Sequence, residues 1–399
     1  MQKINSLIII WDQNSWGGVD SHLAYLINTE AFRDIDITIY SNKENQGIQR
    51  LKKLLRKDVK FINFKNIINP KINNFILKKI IFIIKPILFL ISYMRFKIIF
   101  ANKKSDLFLA QCGGYGTFRE ELAALLAINN RNFKIISMVI HHACVFPPAF
   151  TNFFLKIINH LLSKKLTSLI NVSKATRDSV FYKSNLLDNQ LLHDIVIHNG
   201  VEVRNLINKK SHNINTSVRI GLISRIEKYK GHEDLISAIK LLPNSYIDKF
   251  RFYLIGSGEK QEVLELTDFI KKSNLDNVVR LKGYVDKHIN EIIEEFDLTL
   301  SLTRTFEGFG LSIAESITSE IPVITTDVGA IKEYLNKDMC EIIQPSSPEQ
   351  IKDALINFYD NREKWKTRAA RAKLYLDENF NSETMANKYL KHFNDKLGY

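Results

Sequence analysis

The sequence predicts an α/β chain that is doubly wound twice over. Three observations predict it. Apolar runs of strand length alternate with helical patterns of ten or more residues along the whole chain. Several of these runs are apolar at consecutive positions, as parallel strands covered on both faces require. The chain has 399 residues, too many for one ordinary core, and a polar stretch divides it near its middle.

The strands follow in order. In the first half they are expected at residues 7–11, 35–40, 59–64, 107–111, 134–140, 168–172 and 195–198. In the second half they are expected at 219–224, 251–255, 278–283, 298–302, 323–326 and 340–343. Residues 1–200 therefore form one Rossmann-like domain and 218–399 another. Residues 201–217, rich in Asn, Ser and Lys from Asn205 onward, read as the linker. From Glu363 the chain is helical and charged. Ligands of open parallel sheets bind beyond the carboxyl ends of the strands. Two such domains can share one central cleft.

Composition narrows the class. The chain is 45% hydrophobic and 25% charged, as globular chains are. Cys112, Cys144 and Cys340 have no ligand spacing, which fits a reducing compartment without a disulfide framework. Residues 7–11 are too short for the apolar core of a signal peptide. The net charge of +13 is uneven: residues 1–200 hold 27 Lys and Arg against 13 Asp and Glu, and residues 201–399 hold 29 against 30. Residues 51–100 alone hold 12 bases and one acid, Asp58.

Residues 75–100 are also rich in Ile, Phe and Leu, interrupted by Lys78, Lys79, Lys85, Pro86 and Arg95. No uninterrupted apolar stretch approaches the roughly 20 residues of a spanning helix. Such a segment reads as an amphipathic surface for an anionic leaflet, the other reading being a buried helix pair with solvated lysines. No nucleic-acid-binding signature accompanies the charge, and nucleic acid is not expected as a partner.

The segment Phe306-Glu307-Gly308-Phe309-Gly310-Leu311-Ser312-Ile313-Ala314-Glu315 carries the most chemistry. It lies between two expected strands and reads as a Gly-rich loop opening a helix. Such a loop offers backbone N–H groups and a positive helix end to an anion. Glu307 and Glu315 can take hydroxyl groups on either side of that anion. A phosphate flanked by polyhydroxyl groups describes a nucleotide-sugar. Arg225, at a strand end, and Lys230, at a helix start, can converge on one phosphate, Arg as a fork and Lys as a point charge. Gly17 and Gly18 make a second glycine turn. His141 and His142 follow a strand, and only one of them can enter a cleft. Asp34-Ile35-Asp36 stands at the start of a strand, the wrong end for a metal-dependent site, so no metal is expected.

This segment resembles the E-x7-E signature of the family-4 retaining glycosyltransferases, which have the GT-B fold. The resemblance extends to Val218-Arg219-Ile220-Gly221-Leu222-Ile223-Ser224-Arg225 with Lys230-Gly231, and to Leu254-Ile255-Gly256-Ser257-Gly258-Glu259. It continues in Val196-Ile197-His198-Asn199-Gly200-Val201 and, more loosely, in Gly17-Gly18 with His22 and Leu23. The chain departs from the family at Ser224 and Glu320, where Gly is usual.

The resemblance implies a donor site of Gly18, Arg225, Lys230, Glu307, Gly308, Phe309, Gly310, Leu311 and Glu315. In it Arg225, Lys230, Glu307 and His141 act in catalysis. Glu307 takes the donor-sugar hydroxyls, Glu315 the ribose, Arg225 and Lys230 the diphosphate, and His141 stands near the donor sugar. It also implies a last helix that returns to the first domain. The reaction implied is hexose transfer from a UDP- or GDP-sugar, with retention and without a metal or other cofactor. Together with the charge, it implies a lipid-linked or lipopolysaccharide acceptor at an anionic membrane. The chain is then expected to be cytoplasmic and peripheral on the inner face of the plasma membrane, in bacterial surface-polysaccharide assembly. Two other readings stay open: a nucleotide-sugar epimerase of the same fold, and a non-catalytic sugar-nucleotide-binding protein of the membrane surface.

Overall fold

Sheet hydrogen bonding follows the buried, β-branched runs closely. The computed structural model describes residues 4–398 apart from 15, 46, 71, 73, 147–148, 185–192 and 204–216. Most of the expected linker thus lies outside the described residues. The chain divides into a unit of Met1–Gly200 with Ser382–Tyr399 and a unit of Val201–Asn381.

The first unit runs β1 (Ser6–Trp11), α1 (Gly18–Ile27), β2 (Asp36–Asn42), α2 (Ile48–Leu54), β3 (Lys60–Phe64), α3 (Phe75–Ile99), β4 (Ser105–Cys112), α4 (Glu120–Ala127), β5 (Phe133–Ile140), α5 (Ala149–Lys165), β6 (Ser168–Asn171), α6 (Lys174–Lys183) and β7 (His193–Val196). Among the described residues its sheet has the order β3-β2-β1-β4-β5-β6-β7, with all neighbours parallel. Ile9 sits between Ile39 and Leu109, and all three are fully buried. Consecutive burial along β1 is the two-sided covering that the sequence implied.

The second unit runs β8 (Val218–Ile223), α7 (His232–Lys240), α8 (Asn244–Ile247), β9 (Phe250–Ile255), α9 (Lys260–Lys272), β10 (Val279–Gly283), α10 (Ile289–Ile293), β11 (Leu298–Ser301), α11 (Leu311–Thr318), β12 (Val323–Thr326), α12 (Ile331–Tyr334), β13 (Glu341–Ile343), α13 (Pro348–Asp360) and α14 (Arg362–Asn379). Its parallel sheet has the order β10-β9-β8-β11-β12-β13. Each sheet reverses direction once, between β1 and β4 and between β8 and β11. Such a switch point opens a crevice at the strand ends. The last helix, α15 (Ser382–Lys396), belongs to the first unit, where it packs on α1 and residues 30–32. Met385, Tyr389 and Phe393 are its buried side, and Met385 Sδ accepts from Gly200 N–H at 3.1 Å.

Residues 75–99 form one helix rather than a pair. The Asn74 side chain caps it by accepting from Ile76 and Leu77 N–H. Lys85, read from the sequence as part of a basic surface with Lys78 and Lys79, is instead half-buried on the inward side of α3. Burial lowers its pKa, and the nearby Arg119 charge lowers it further.

The departure at Glu320 has a backbone cost. Helix α11 ends in a Schellman turn, with Ile321 N–H on Ser316 C=O at 3.0 Å and Glu320 N–H on Ile317 C=O at 2.8 Å. This turn puts Glu320 in the left-handed region at φ 54°, where a Cβ atom is unfavourable. Glu320→Gly is expected to stabilise the protein by about 1 kcal/mol, the gain being tempered by glycine's freedom in the unfolded chain. Urea unfolding checks this, and an unchanged or lower midpoint would refute the strain.

Candidate active site

The crevice of the second sheet collects the sequence motifs. Strands β8 and β11 pair directly, Leu298 beside Ile220 and Leu300 beside Leu222. The chain leaving β8 passes Ser224 and Arg225, makes a 3-10 turn at Lys228–Lys230, and enters α7 through Gly231. Gly231 has φ 76°, and a Cβ there would lie 2.1 Å from the Leu302 carbonyl oxygen. The turn can rest on the end of β11 only because this residue is glycine. Lys230 therefore precedes the helix cap instead of opening the helix.

That placement brings Lys230 to Glu307. Lys230 Nζ lies 2.9 Å from Glu307 Oε2 and 3.3 Å from Thr303 Oγ1, and Thr303 Oγ1 donates to Glu307 Oε2 at 3.1 Å. Both charged side chains are mostly covered, at 13% and 17% exposed. Arg304 latches the turn in place. Its N–H donates to Tyr229 C=O at 2.7 Å, and its guanidinium grips Asp234 through two 2.8 Å bonds. Thr303 and Arg304 were not among the residues expected from the sequence. Their position, just beyond the end of a switch-point strand, is the signal that could have found them.

The Glu307 loop is held from below. Ala330 N–H donates to Glu307 C=O at 3.0 Å. Gly329, at φ 58°, lies so close that a Cβ would stand 2.1 Å from the Glu307 carbonyl oxygen. The Phe309 ring is buried and stacks on Tyr334, with centroids 4.5 Å apart and planes 13° apart. Phe309 thus anchors the loop by its ring, and only its backbone is suited to a ligand. Gly310, at φ 88°, caps α11 without a side-chain bond, so the helix presents its positive end directly. Leu311 begins α11, Gly308 lies in the bend before it, and Glu315 is buried five residues in.

Arg225 takes a different partner from Lys230. It pairs with Glu227 at 2.8 Å and donates to Tyr229 Oη at 3.2 Å. Burial and then Glu227 hold the Tyr229 hydroxyl protonated, well above its usual range. The two cations expected to share one anion are each on a carboxylate here. Ser224 Oγ lies 3.4 Å from His232 Nε2. Burial first, then the charges of Lys230 and Arg304, push His232 down to about 4, so it is neutral near pH 7.

In the first unit, Gly17 caps α1 and Gly18 is its first residue. The Asp20 carboxylate accepts from Gly17 N–H at 2.5 Å, so this helix start carries its own acidic cap. Burial raises Asp20 well above the usual carboxylate range. His141 follows β5, nearly buried, with Nε2 2.6 Å from Gln111 Oε1. With the Gln111 oxygen as acceptor, the neutral imidazole carries its proton on Nε2 and offers its Nδ1 lone pair. His22 packs edge-on against His141 at 4.7 Å, and its Nδ1 meets Asn199 Oδ1 at 2.9 Å. Burial, with His22 second, lowers the His141 pKa well below the usual value, and burial lowers His22 to about 4. Both rings are neutral near pH 7. Gln111 was not singled out in the sequence, although it too stands near the carboxyl end of its strand.

Asp36 begins β2, at the end of the sheet away from these residues. Among the described residues, no group of three or more His, Cys, Asp or Glu is placed to hold a metal ion.

Comparison with known proteins bears on this crevice. Residues 204–374, most of the second unit, match the family described as glycosyl transferases group 1. The chain is 24% identical over 249 residues to an uncharacterized glycosyltransferase of Methanocaldococcus jannaschii, covering 60% of this chain and 62% of that protein. Less than two thirds of that relative's length is therefore matched. It is 23% identical to the capsular polysaccharide biosynthesis glycosyltransferase CapM of Staphylococcus aureus, covering 62% of this chain and 68% of CapM. The crystal structure of Anabaena HepE in complex with UDP and glucose superposes with a TM-score of 0.73 at 17% identity, covering 97% of this chain and 99% of that one. A likeness at this identity shows the fold, which is GT-B with two Rossmann-like units.

The contact beneath Glu307 can be tested. Gly329→Ala adds a Cβ where the Glu307 backbone lies and asks alanine to adopt a left-handed φ. It is expected to destabilise the protein by about 2–3 kcal/mol. Urea unfolding with wild-type stability would show that the Glu307 loop is not supported in this way.

Proposed function

We propose that this chain is a retaining glycosyltransferase of the GT-B fold. It moves a hexose from a nucleotide-diphosphate sugar to a hydroxyl of a lipid-linked, lipopolysaccharide or polysaccharide acceptor. The observation that carries the reading is the Lys230–Glu307–Thr303 group at the switch-point crevice, beside the Gly310-capped start of α11. The group 1 match in the second unit supports it, as do the UDP and glucose bound to HepE and the capsular polysaccharide pathway of CapM.

The chemistry follows from those side chains. Lys230 is already mostly covered, so an arriving diphosphate meets a cation that needs less further desolvation than an exposed one. As phosphate oxygens engage Lys230, Glu307 is released to accept a hydrogen bond from a donor-sugar hydroxyl. Arg225 can turn its fork from Glu227 to the same diphosphate. In the oxocarbenium-like transition state, negative charge grows on the leaving diphosphate. Lys230, Arg225 and the positive end of α11 are then worth more than in the ground state. The leaving phosphate accepts the acceptor's proton on the same face, which retains the anomeric configuration. His141, neutral, contributes a hydrogen bond at Nδ1 near the donor sugar. Glu315 holds the ribose. The two cations fill the role that a divalent metal has elsewhere, so none is required. The basic residues 51–100 support an acceptor at the cytoplasmic face of an anionic membrane.

Release of nucleoside diphosphate from a panel of UDP- and GDP-sugars tests the activity. Arg225→Ala and Lys230→Ala, shown folded by circular dichroism, are each expected to lower turnover by about 10²–10³. Excess EDTA is expected to leave it unchanged. Near wild-type turnover in both variants would remove the diphosphate clamp. Loss with EDTA, restored by magnesium or manganese, would remove the metal-free scheme. Interconversion of the sugar without diphosphate release would favour an epimerase.

Glu315→Ala is expected to weaken binding of the free nucleoside diphosphate by about 1–3 kcal/mol, through a lost ribose hydrogen bond. Calorimetry that finds unchanged affinity would remove the ribose role.

A further inference from the structure

Helix α3 is apolar on two opposite sides. Phe89, Ser92 and Phe96 face the core. Ile76, Ile80, Ile83, Ile87, Leu90, Ile91, Met94 and Ile98 face outward, each at least 47% exposed. The outward residues recur at spacings of three and four, and Ile87, Leu90 and Met94 each stand two positions before an inward residue. At about 100° per residue that is the far side of the helix. The stripe spans 23 residues without a charge on it, well beyond the scattered apolar residues of an ordinary surface.

The helix cannot roll to hide this stripe. Glu120, fully buried at the start of α4, accepts from Ser92 Oγ and pairs with Arg95 at 2.8 Å. Its other oxygen accepts from Ile67 and Ile68 N–H at 2.7 and 3.2 Å. Arg95 also donates to Lys65 C=O at 2.6 Å. Rotating α3 would strand a buried carboxylate.

Charge decides what covers the stripe. The helix holds five bases and no acid. Pairing it with a second copy would bring like charges together. Lys78, Lys79 and Lys97 are exposed near its two ends, and Lys79 and Lys97 lie over the Phe75 and Tyr93 rings. Among the described residues, no helix is long and apolar enough to cross a membrane. We propose that α3 lies along an anionic bilayer, with the Ile/Leu/Met stripe among the acyl chains and Lys79 and Lys97, which flank the stripe, at the headgroup phosphates. This deepens the membrane-borne acceptor read above and rests on it for its purpose. It differs from electrostatic adsorption because the apolar stripe supplies most of the attachment.

Co-sedimentation of the full chain with vesicles of phosphatidylcholine and phosphatidylglycerol tests it. In about 1 M salt, where the Debye length is about 3 Å, wild type is expected to stay bound, though more weakly. Ile80→Gln/Ile83→Gln/Ile87→Gln changes only exposed positions and is expected to lower affinity more than about a hundredfold at both low and high salt. Lys79→Gln/Lys97→Gln is expected to lower it by about fivefold per lysine at low salt and little at high salt. Complete release of wild type by salt would overturn the proposal in favour of adsorption. Equal binding by the triple-Gln variant would overturn it outright. A wild-type dimer that the triple-Gln variant makes monomeric, with vesicle binding unchanged, would give the stripe to a second copy. Nucleoside diphosphate release is measured on the same proteins without vesicles, so failure of the transferase reading shows there alone.

Discussion

The second unit is organised around one ion pair. Lys230 reaches Glu307 across the line where its sheet reverses, from residues that follow two different strands. Coverage makes the contact strong and also costly to break, since either partner alone would be a poorly solvated charge. The surrounding backbone is arranged to hold it. Gly231 lets the Lys230 turn lie on β11, Gly329 lets the Glu307 loop lie on the chain before α12, and Arg304 ties the turn to α7. Phe309, stacked on Tyr334, keeps the loop from lifting. The crevice is therefore preorganised in its backbone. Its side-chain charges are paired with each other, Lys230 with Glu307 and Arg225 with Glu227.

The first unit uses neutral groups at the corresponding strand ends. His22 and His141 are buried together, which disfavours a proton on either. Gln111 and Asn199 fix their ring orientations through one nitrogen each. At the start of α1, the Asp20 carboxyl accepts from Gly17 N–H. The two helix starts thus differ in kind. Both are capped by glycine, but at α1 the Asp20 carboxyl takes the Gly17 N–H whereas no side chain caps α11, so an incoming phosphate suits α11 better.

The same unit shows how one buried carboxylate can set a surface. Glu120 joins α3 to α4 and to the backbone at residues 67–68. Its demand for donors selects which side of α3 faces inward. The apolar stripe on the other side is a consequence of that choice, and so is the inward turn of Lys85.

Local patterns in the sequence were sufficient for the elements and their class. Consecutive β-branched runs announce strands covered on both faces, and all thirteen expected strands form, displaced by two residues at most. The spacing of Glu307, Gly308, Gly310 and Glu315 placed a glycine loop before a helix, because capping and glycine conformations are properties of neighbouring residues. The unusual residue at 320 was also legible, since a helix ending there requires a left-handed backbone. Contacts between distant residues were not legible. Lys230 and Glu307 are 77 positions apart, and only the pairing of β8 with β11 brings them together. The Arg304–Asp234 latch, the Gln111–His141 bond and the burial of the Phe309 ring depend on packing in the same way. A helix with two apolar stripes gives no periodic signal for which one is buried. The tertiary structure decided that, because one side of α3 brings Ser92 and Arg95 to the buried Glu120 and Phe89 and Phe96 to the core.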